Sequence, residues 1–211
     1  MNVSRFLAGF LWLDKLGLGA LLNLKVIIRW TLYHANYALI DPQLGPNPDY
    51  WLTVLYKRLV SNKVLHVSVK RGIYRRTSKS IILPTKSFSS TLNYSLYVGP
   101  RTLRLYAHCS KDRALHVTIF GMNVSNRKVS FFLDYLQSGE SNTLIGKVYQ
   151  YQLTALQGDP VSRTVCLNGV PIKDPDPHLP DLLPREVDGF HMEPFSISFW
   201  TVPAPKGSQC V

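Results

Sequence analysis

Leu24-Lys25-Val26-Ile27-Ile28-Arg29-Trp30-Thr31-Leu32 is the stretch on which the fold turns. It is rich in β-branched residues and short enough for a strand buried on both faces. Upstream, Phe6, Phe10, Leu13 and Leu16, with Leu7 and Leu11 beside them, recur at three- and four-residue steps. That spacing predicts a helix with Ser4 as N-cap, ended by Gly17 and Gly19. Downstream lies a loop from His34 to Asn47 that holds Asn36-Tyr37-Ala38-Leu39-Ile40-Asp41. A second helix is expected to follow: Asn47 caps, Pro48 suits the first turn, Asp49 favours the positive end of the dipole, and Trp51, Leu55 and Leu59 form one apolar stripe. Helix, buried strand, loop, helix is the grammar of a repeating β/α unit, but one and a half units do not close a sheet.

From Lys63 onward the pattern changes to period two. Val64 to Val69, Leu103 to His108, Leu115 to Phe120, Val129 to Leu133, Tyr149 to Leu153, Val165 to Leu167 and Phe195 to Val202 read as strands. Asn168-Gly169 and Asp174-Pro175-Asp176-Pro177 punctuate them as turns. This half is expected to be an all-β sandwich. The Ser/Thr/Lys/Arg-rich text from Arg71 reads as a mobile insertion.

Charge narrows the partners. The formal net charge is +11, and no acid lies between Asp49 and Asp112. That interval includes Lys57, Arg58, Lys63, Lys70, Arg71, Arg75, Arg76, Lys79, Lys86, Arg101 and Arg104. A field of one sign attracts polyanions, whether nucleic acid, acidic lipid or sulfated polysaccharide, and a solvated basic loop without a partner fits the same pattern. No nucleic-acid-binding motif is readable in it. Lys25 and Arg29 interrupt the only long apolar stretch, so no membrane span is expected, and no secretory leader is visible at the start.

Sequons occur at Asn2, Asn93 and Asn123. Cys109, Cys166 and Cys210 fit no metal or redox spacing. One disulfide with one free thiol and three reduced buried cysteines are equally good arithmetic. No cofactor fingerprint, phosphate loop or G-x-S-x-G elbow is present, so neither a cofactor nor a metal is expected. The three glutamates, Glu140, Glu186 and Glu193, all fall in the β half. Asp41 is the only acid near the rim after the expected strand, where a turn role competes with a substrate contact. Tyr37 in the same loop is either a packed aromatic or a hydroxyl donor to a ligand carboxylate.

The residues also resemble a family. Phe6-Leu7-Ala8-Gly9-Phe10-Leu11-Trp12-Leu13-Asp14-Lys15-Leu16-Gly17-Leu18 looks like the heparanase segment that runs into the last barrel strand. Asn36-Tyr37 with Leu39-Ile40-Asp41, Pro48-Asp49-Tyr50-Trp51-Leu52, Leu55-Tyr56-Lys57-Arg58-Leu59-Val60, Leu103 to Cys109, Leu167-Asn168-Gly169 and a cysteine just before the C-terminus match as well, in the same order. Heparanases are retaining endo-β-glucuronidases that cut heparan sulfate, built as a TIM barrel followed by a β-sandwich.

The resemblance implies that residues 1–62 are the end of such a barrel (a helix, strand 8 and helix 8), and that 63–211 are the sandwich, with a basic insertion at about 71–99. It implies a substrate-binding set of Tyr37, Ala35 and Asn36: the tyrosine meets the uronate carboxylate, and Ala35 replaces a backbone-contacting glycine. It implies a Cys109–Cys210 disulfide with Cys166 free, and glycosylation at Asn123, with Asn93 a further candidate. The family's two catalytic glutamates lie on earlier strands and have no counterpart here, so Met1 is expected to be internal to a longer protein and no catalytic residue is assigned. The expectation is a C-terminal fragment of a heparan-sulfate-cleaving hydrolase, inactive alone. The alternative is a non-catalytic relative that binds heparan sulfate or heparin. Either implies the extracellular matrix, cell surface or lysosome, with membrane or matrix association through proteoglycans.

Overall fold

The computed structural model describes residues 4–35, 37–71, 94–98, 102–137, 140–142, 146–173, 178–204 and 209–210. Two helices, α1 (Phe6–Leu21) and α2 (Pro48–Leu59), precede thirteen strands. These are β1 (Val60–Leu65), β2 (Val67–Arg71), β3 (Tyr94–Val98), β4 (Leu103–Ser110), β5 (His116–Asn123), β6 (Val129–Gln137), β7 (Glu140–Asn142), β8 (Val148–Ala155), β9 (Val165–Leu167), β10 (Val170–Pro171), β11 (Arg185–Val187), β12 (Phe190–Met192) and β13 (Ser196–Pro203).

The strands form two open sheets. One runs β1-β4-β5-β13-β8-β9-β10, with β11 also on β8; the other runs β12-β6-β3-β2, with β7 on β6. Pairing is antiparallel except between β2 and β3, where Val67 stands opposite Tyr94 in parallel register. Val64 to Val69, read as one strand, is two: the chain leaves the first sheet at Leu65 and enters the second at Val67. Most of the stretch expected as an insertion lies outside the described residues, but its end, β3, lies between β6 and β2.

The larger sheet is buried on both faces. Toward the helices it presents Tyr106, Phe120, Met122, Tyr151, Leu153, Ile197 and Phe199, which pack with Phe6, Phe10, Leu13, Leu16, Trp51, Leu52, Leu55 and Leu59. Toward the second sheet it presents Leu105, Ala107, Val117, Ile119, Trp200 and Val202, against Phe131, Phe190 and Met192. The result is a helix–sheet–sheet sandwich. The helical layer shares its core with the strands, and residue 62 falls inside β1, which begins where α2 ends.

Two readings are corrected. First, α1 is not ended by Gly17 and Gly19 but continues to Leu21, and Arg5 rather than Ser4 occupies the N-cap. A Cβ at Gly17 would strike the ring of Tyr106, and one at Gly19 the side chain of Ile27. The glycines therefore serve close approach of neighbours, not termination. Second, Leu24–Leu32 is not a strand of either sheet, and no closed barrel forms among the described residues. Propensity favours extension there, but a strand needs a ladder, and among the described residues this one is confined to Leu39 N–H donating to Thr31 O at 3.2 Å and Ile40 N–H to Leu32 O at 2.9 Å.

Candidate functional site

The loop between α1 and α2 is organised around Arg29, the cation embedded in the apolar run. Its guanidinium stacks over Trp12 at 5.0 Å from the ring centroid. It forms an ion pair with Asp49 at the start of α2. Its Nη2 also donates to the backbone oxygen of Tyr37, at 2.9 Å. Burial pushes the Asp49 carboxyl above its ordinary value, and the charge of Arg29 offsets this only in part.

Asn47 fastens the loop from below. It sits at the N-cap position of α2 but makes no cap bond with its side chain. Instead its Nδ2 donates to Ala38 O at 2.8 Å, while its backbone N–H donates to Leu39 O at 2.9 Å. Ala38 N–H donates to Ala35 O at 2.9 Å, closing a turn that leaves Tyr37 43% exposed. Ala35 and Tyr37 thus share one anchored turn; Asn36 lies outside the described residues.

Asp41 closes the lower half of the loop. Its Oδ1 accepts from Gln43 N–H at 3.0 Å and Gly45 N–H at 2.8 Å. Its Oδ2 accepts from Arg163 Nη2 at 2.5 Å, and the same nitrogen reaches Asn47 Oδ1 at 3.2 Å. Partial burial raises its pKa, but the Arg163 bond, the two amides and the Arg163 charge outweigh this and hold the carboxyl below its ordinary value. This is a turn and tether role, with the carboxylate fully engaged.

A basic pocket of about 580 Å³ opens beside α1 and α2. Lys25, Lys57 and Lys111 line it above an apolar floor of Trp12, Leu16 and Val60, with no acidic residue in its wall. Lys111 Nζ donates to Lys57 O at 3.0 Å, which fixes one cation against the C-terminal end of α2. His108, also in the wall, is buried; burial lowers its pKa, so it adds no charge at neutral pH. Arg58, by contrast, is taken up by Leu182 O at 3.0 Å and the ring of Tyr151.

Two glutamates are engaged by lysines among the described side chains. Lys147 holds Glu186 and Lys128 holds Glu193, each at 2.9 Å. Cys109 and Cys210 form a disulfide with Cα atoms 5.3 Å apart, while Cys166 is free and buried. Asn123, expected to be glycosylated, is instead fully buried. Its Nδ2, the atom a glycan needs, donates to Arg127 O at 2.7 Å and Glu193 O at 2.9 Å, and its Oδ1 accepts from Ser125 N–H at 3.0 Å. The sequon is folded into an Asx turn, with the glycan-accepting nitrogen engaged by two carbonyls. Asn93 lies outside the described residues. Among the described residues no group of three metal-binding side chains comes together, and no helix is long and apolar enough to cross a membrane.

Sequence reasoning located the Tyr37 loop but missed what holds it. A lone arginine in an apolar run signals a buried acidic partner, which was open to reading. Arg163 lies 122 residues from Asp41 and gives no such signal.

No family model matches the chain. Individual relatives do. Over 218 residues it is 34% identical to the hyaluronoglucuronidase of Hirudo nipponia, covering 98% of this chain and 38% of that protein. It is 32% identical over 218 residues to the heparanase of Bos taurus, covering 99% and 34% respectively. It is 31% identical over 217 residues to the inactive heparanase-2 of Homo sapiens, covering 97% and 33%. The chain belongs to the heparanase family and corresponds to a C-terminal portion of its members. It spans about a third of the length of the curated relatives it matches.

Proposed function

We propose that this chain supplies part of the glycan-binding surface of a heparanase-like glycoside hydrolase and does not cleave glycan alone. Residues 1–62 are read as the end of a TIM barrel, and 63–211 as its companion sandwich. Similarity along almost the whole chain to a heparanase carries this reading.

In this reading the Tyr37 hydroxyl donates to a uronate carboxylate, the backbone of Ala35 shapes the same subsite, and Asn36 is a further candidate for it. Arg29, Asp49 and Asn47 hold the turn so that the tyrosine is presented without rearrangement. Lys25, Lys57 and Lys111 draw in the sulfated or carboxylated remainder of a heparan sulfate or heparin chain. Retaining hydrolysis needs two carboxyl groups about 5 Å apart across the scissile bond. Asp41 and Asp49 are committed to Arg163 and Arg29, and Glu186 and Glu193 to lysines. On this reading none of these four is a catalytic carboxylate. The Cys109–Cys210 bridge supports an oxidising compartment, the extracellular matrix, cell surface or lysosome, with attachment to membrane or matrix through proteoglycans. Asn93 remains the glycosylation candidate.

The test is retention on immobilised heparin along a salt gradient. Elution well above physiological salt is expected, with Lys57→Ala/Lys111→Ala moving it distinctly lower. Elution at or below physiological salt overturns the glycan-binding reading. A second reading, a glycan-binding relative without catalysis, is favoured by similarity to a protein named inactive heparanase-2. It is chosen if the full-length protein holds heparin but releases no fragments.

A further inference from the structure

The basic pocket beside α1 and α2 has a property that long-range attraction of a polyanion leaves unused. Its floor is apolar: Trp12, Leu16 and Val60 lie beneath the lysines, and Leu24, 58% exposed, stands in the same wall. Trp12 is fixed there, because its indole N–H donates to Thr53 Oγ1 at 3.0 Å. The cations are steadied as well. Lys25 Nζ donates to Asn23 Oδ1 at 2.7 Å, and Lys111 Nζ to Lys57 O at 3.0 Å. Both acceptors are neutral, so neither bond cancels a charge. Among the described residues no carboxylate pairs with Lys25, Lys57 or Lys111. His108 in the wall turns Nδ1 to Ser61 O at 2.8 Å and is uncharged at neutral pH, so the three ammonium groups set the sign of the pocket.

We infer that this pocket binds one small amphiphilic anion, an alkyl or aryl carboxylate, sulfate or phosphate. Its head lies among Lys25, Lys57 and Lys111, and its apolar body lies on Trp12, Leu16 and Val60. Shape and size select a small molecule. A cavity of about 580 Å³ is in the range of small-ligand sites, which are concave and largely apolar with a few convergent polar groups. The lysines select an anion. The floor selects against a plain one: inorganic sulfate, or a sulfated sugar, meets the cations but leaves Trp12, Leu16 and Val60 facing water. An apolar body removes that surface from water, and the water it expels strengthens the attraction between head and lysines. The inference goes beyond glycan binding. It draws on the same three lysines, but the floor is its own.

The test follows the Trp12 indole N–H by heteronuclear NMR as octyl sulfate is added below its micellar concentration. A saturable one-to-one shift is expected. Inorganic sulfate and octyl glucoside offer the head and the body separately, and each is expected to bind at least about tenfold more weakly. Lys57→Ala/Lys111→Ala is expected to weaken octyl sulfate about tenfold. Leu24→Ser, at an exposed position, is expected to weaken it about threefold and to leave retention on heparin unchanged. If either variant does not fold, the three probes on the wild-type chain decide. Sedimentation with phosphatidylserine vesicles separates the sources: binding lost in the double variant assigns the anion to a membrane lipid, and no binding assigns it to a free amphiphile. Octyl glucoside or inorganic sulfate binding as tightly as octyl sulfate overturns the inference. So does a Trp12 signal that does not move or does not saturate, or an affinity indifferent to both variants. Failure on heparin with saturable octyl sulfate binding overturns the glycan-binding reading alone.

Discussion

Two carboxylates near the Tyr37 loop respond to pH in opposite directions. Asp41 is held below its ordinary value, so its contribution is full above the unfolded carboxylate range and is lost as pH falls through its depressed folded value. Arg163 is about half exposed, which limits that contribution to less than about 1 kcal/mol. Asp49 is held above its ordinary value, so folding binds a proton there, and stability falls as pH rises from 3.8 toward the folded value. Its ion pair with Arg29 is almost wholly enclosed, and removing one partner strands a buried charge. Arg29→Met is expected to cost about 3–5 kcal/mol in urea denaturation at pH 7, and Asp49→Asn in that background to recover part of it. Additive losses in the double-mutant cycle would show that the two side chains are not coupled. Asn123 makes a separate case: Asn123→Ala removes one donor each from the Arg127 and Glu193 carbonyls, which keep the Ser125 and Ser196 hydroxyls, and takes the side-chain acceptor from Ser125 N–H; it is expected to cost about 1–3 kcal/mol. Intact-mass analysis of secreted protein is expected to find no glycan on Asn123; a glycosylated, natively folded chain would contradict its burial.

At the scale of elements, what could be read in the sequence depended on whether the cause was local. The Asn168-Gly169 turn was legible because both residues take positive φ, as a two-residue hairpin loop between β9 and β10 demands. Helix α2 was legible from Pro48, Asp49 and its apolar stripe. Strands β5 and β13 showed only loose alternation because nearly every side chain in them is buried, on one face or the other. The end of α1 was misread because the role of Gly17 is set by Tyr106, far away in sequence. Gly17→Ala is therefore expected to destabilise by about 1–3 kcal/mol despite alanine's better helix propensity, through the displaced Tyr106 ring. A raised thermal midpoint would show that the ring moves aside at little cost. The Cys109–Cys210 bridge joins β4 to the C-terminal residues across 101 positions. In the chain-entropy model a loop of that length is worth about 4–5 kcal/mol. Denaturation with and without reductant in a Cys166→Ser background is the check, and an unchanged midpoint would mean the bridge adds nothing to the fold.

For the whole molecule, the consequential fact is that the two helices are not an appendage. Phe6, Phe10, Leu13, Leu52 and Leu55 pack on the same apolar face that carries Phe120, Tyr151 and Phe199, so removing the helical layer bares the centre of the larger sheet. A periodicity change at Lys63 suggested a boundary near residue 62, because local patterning reports the type of element and not which elements share a core. The Tyr37 turn hangs between these layers, tied to α2 through Asn47 and Arg29 and to the β8–β9 connection through Arg163. Its order therefore depends on both. Native-state hydrogen exchange is expected to show α1, α2, β5 and β13 opening together, with the slowest amides of the helices sharing the free energy of the sheet. Leu13→Ala, at a fully buried position, is expected to cost about 2–5 kcal/mol and to lower protection in β5 as much as in α1. Helices that exchange far faster than β5, or a Leu13→Ala loss confined to α1, would mean that the layers are energetically independent. The turn would then be held by its hydrogen bonds alone.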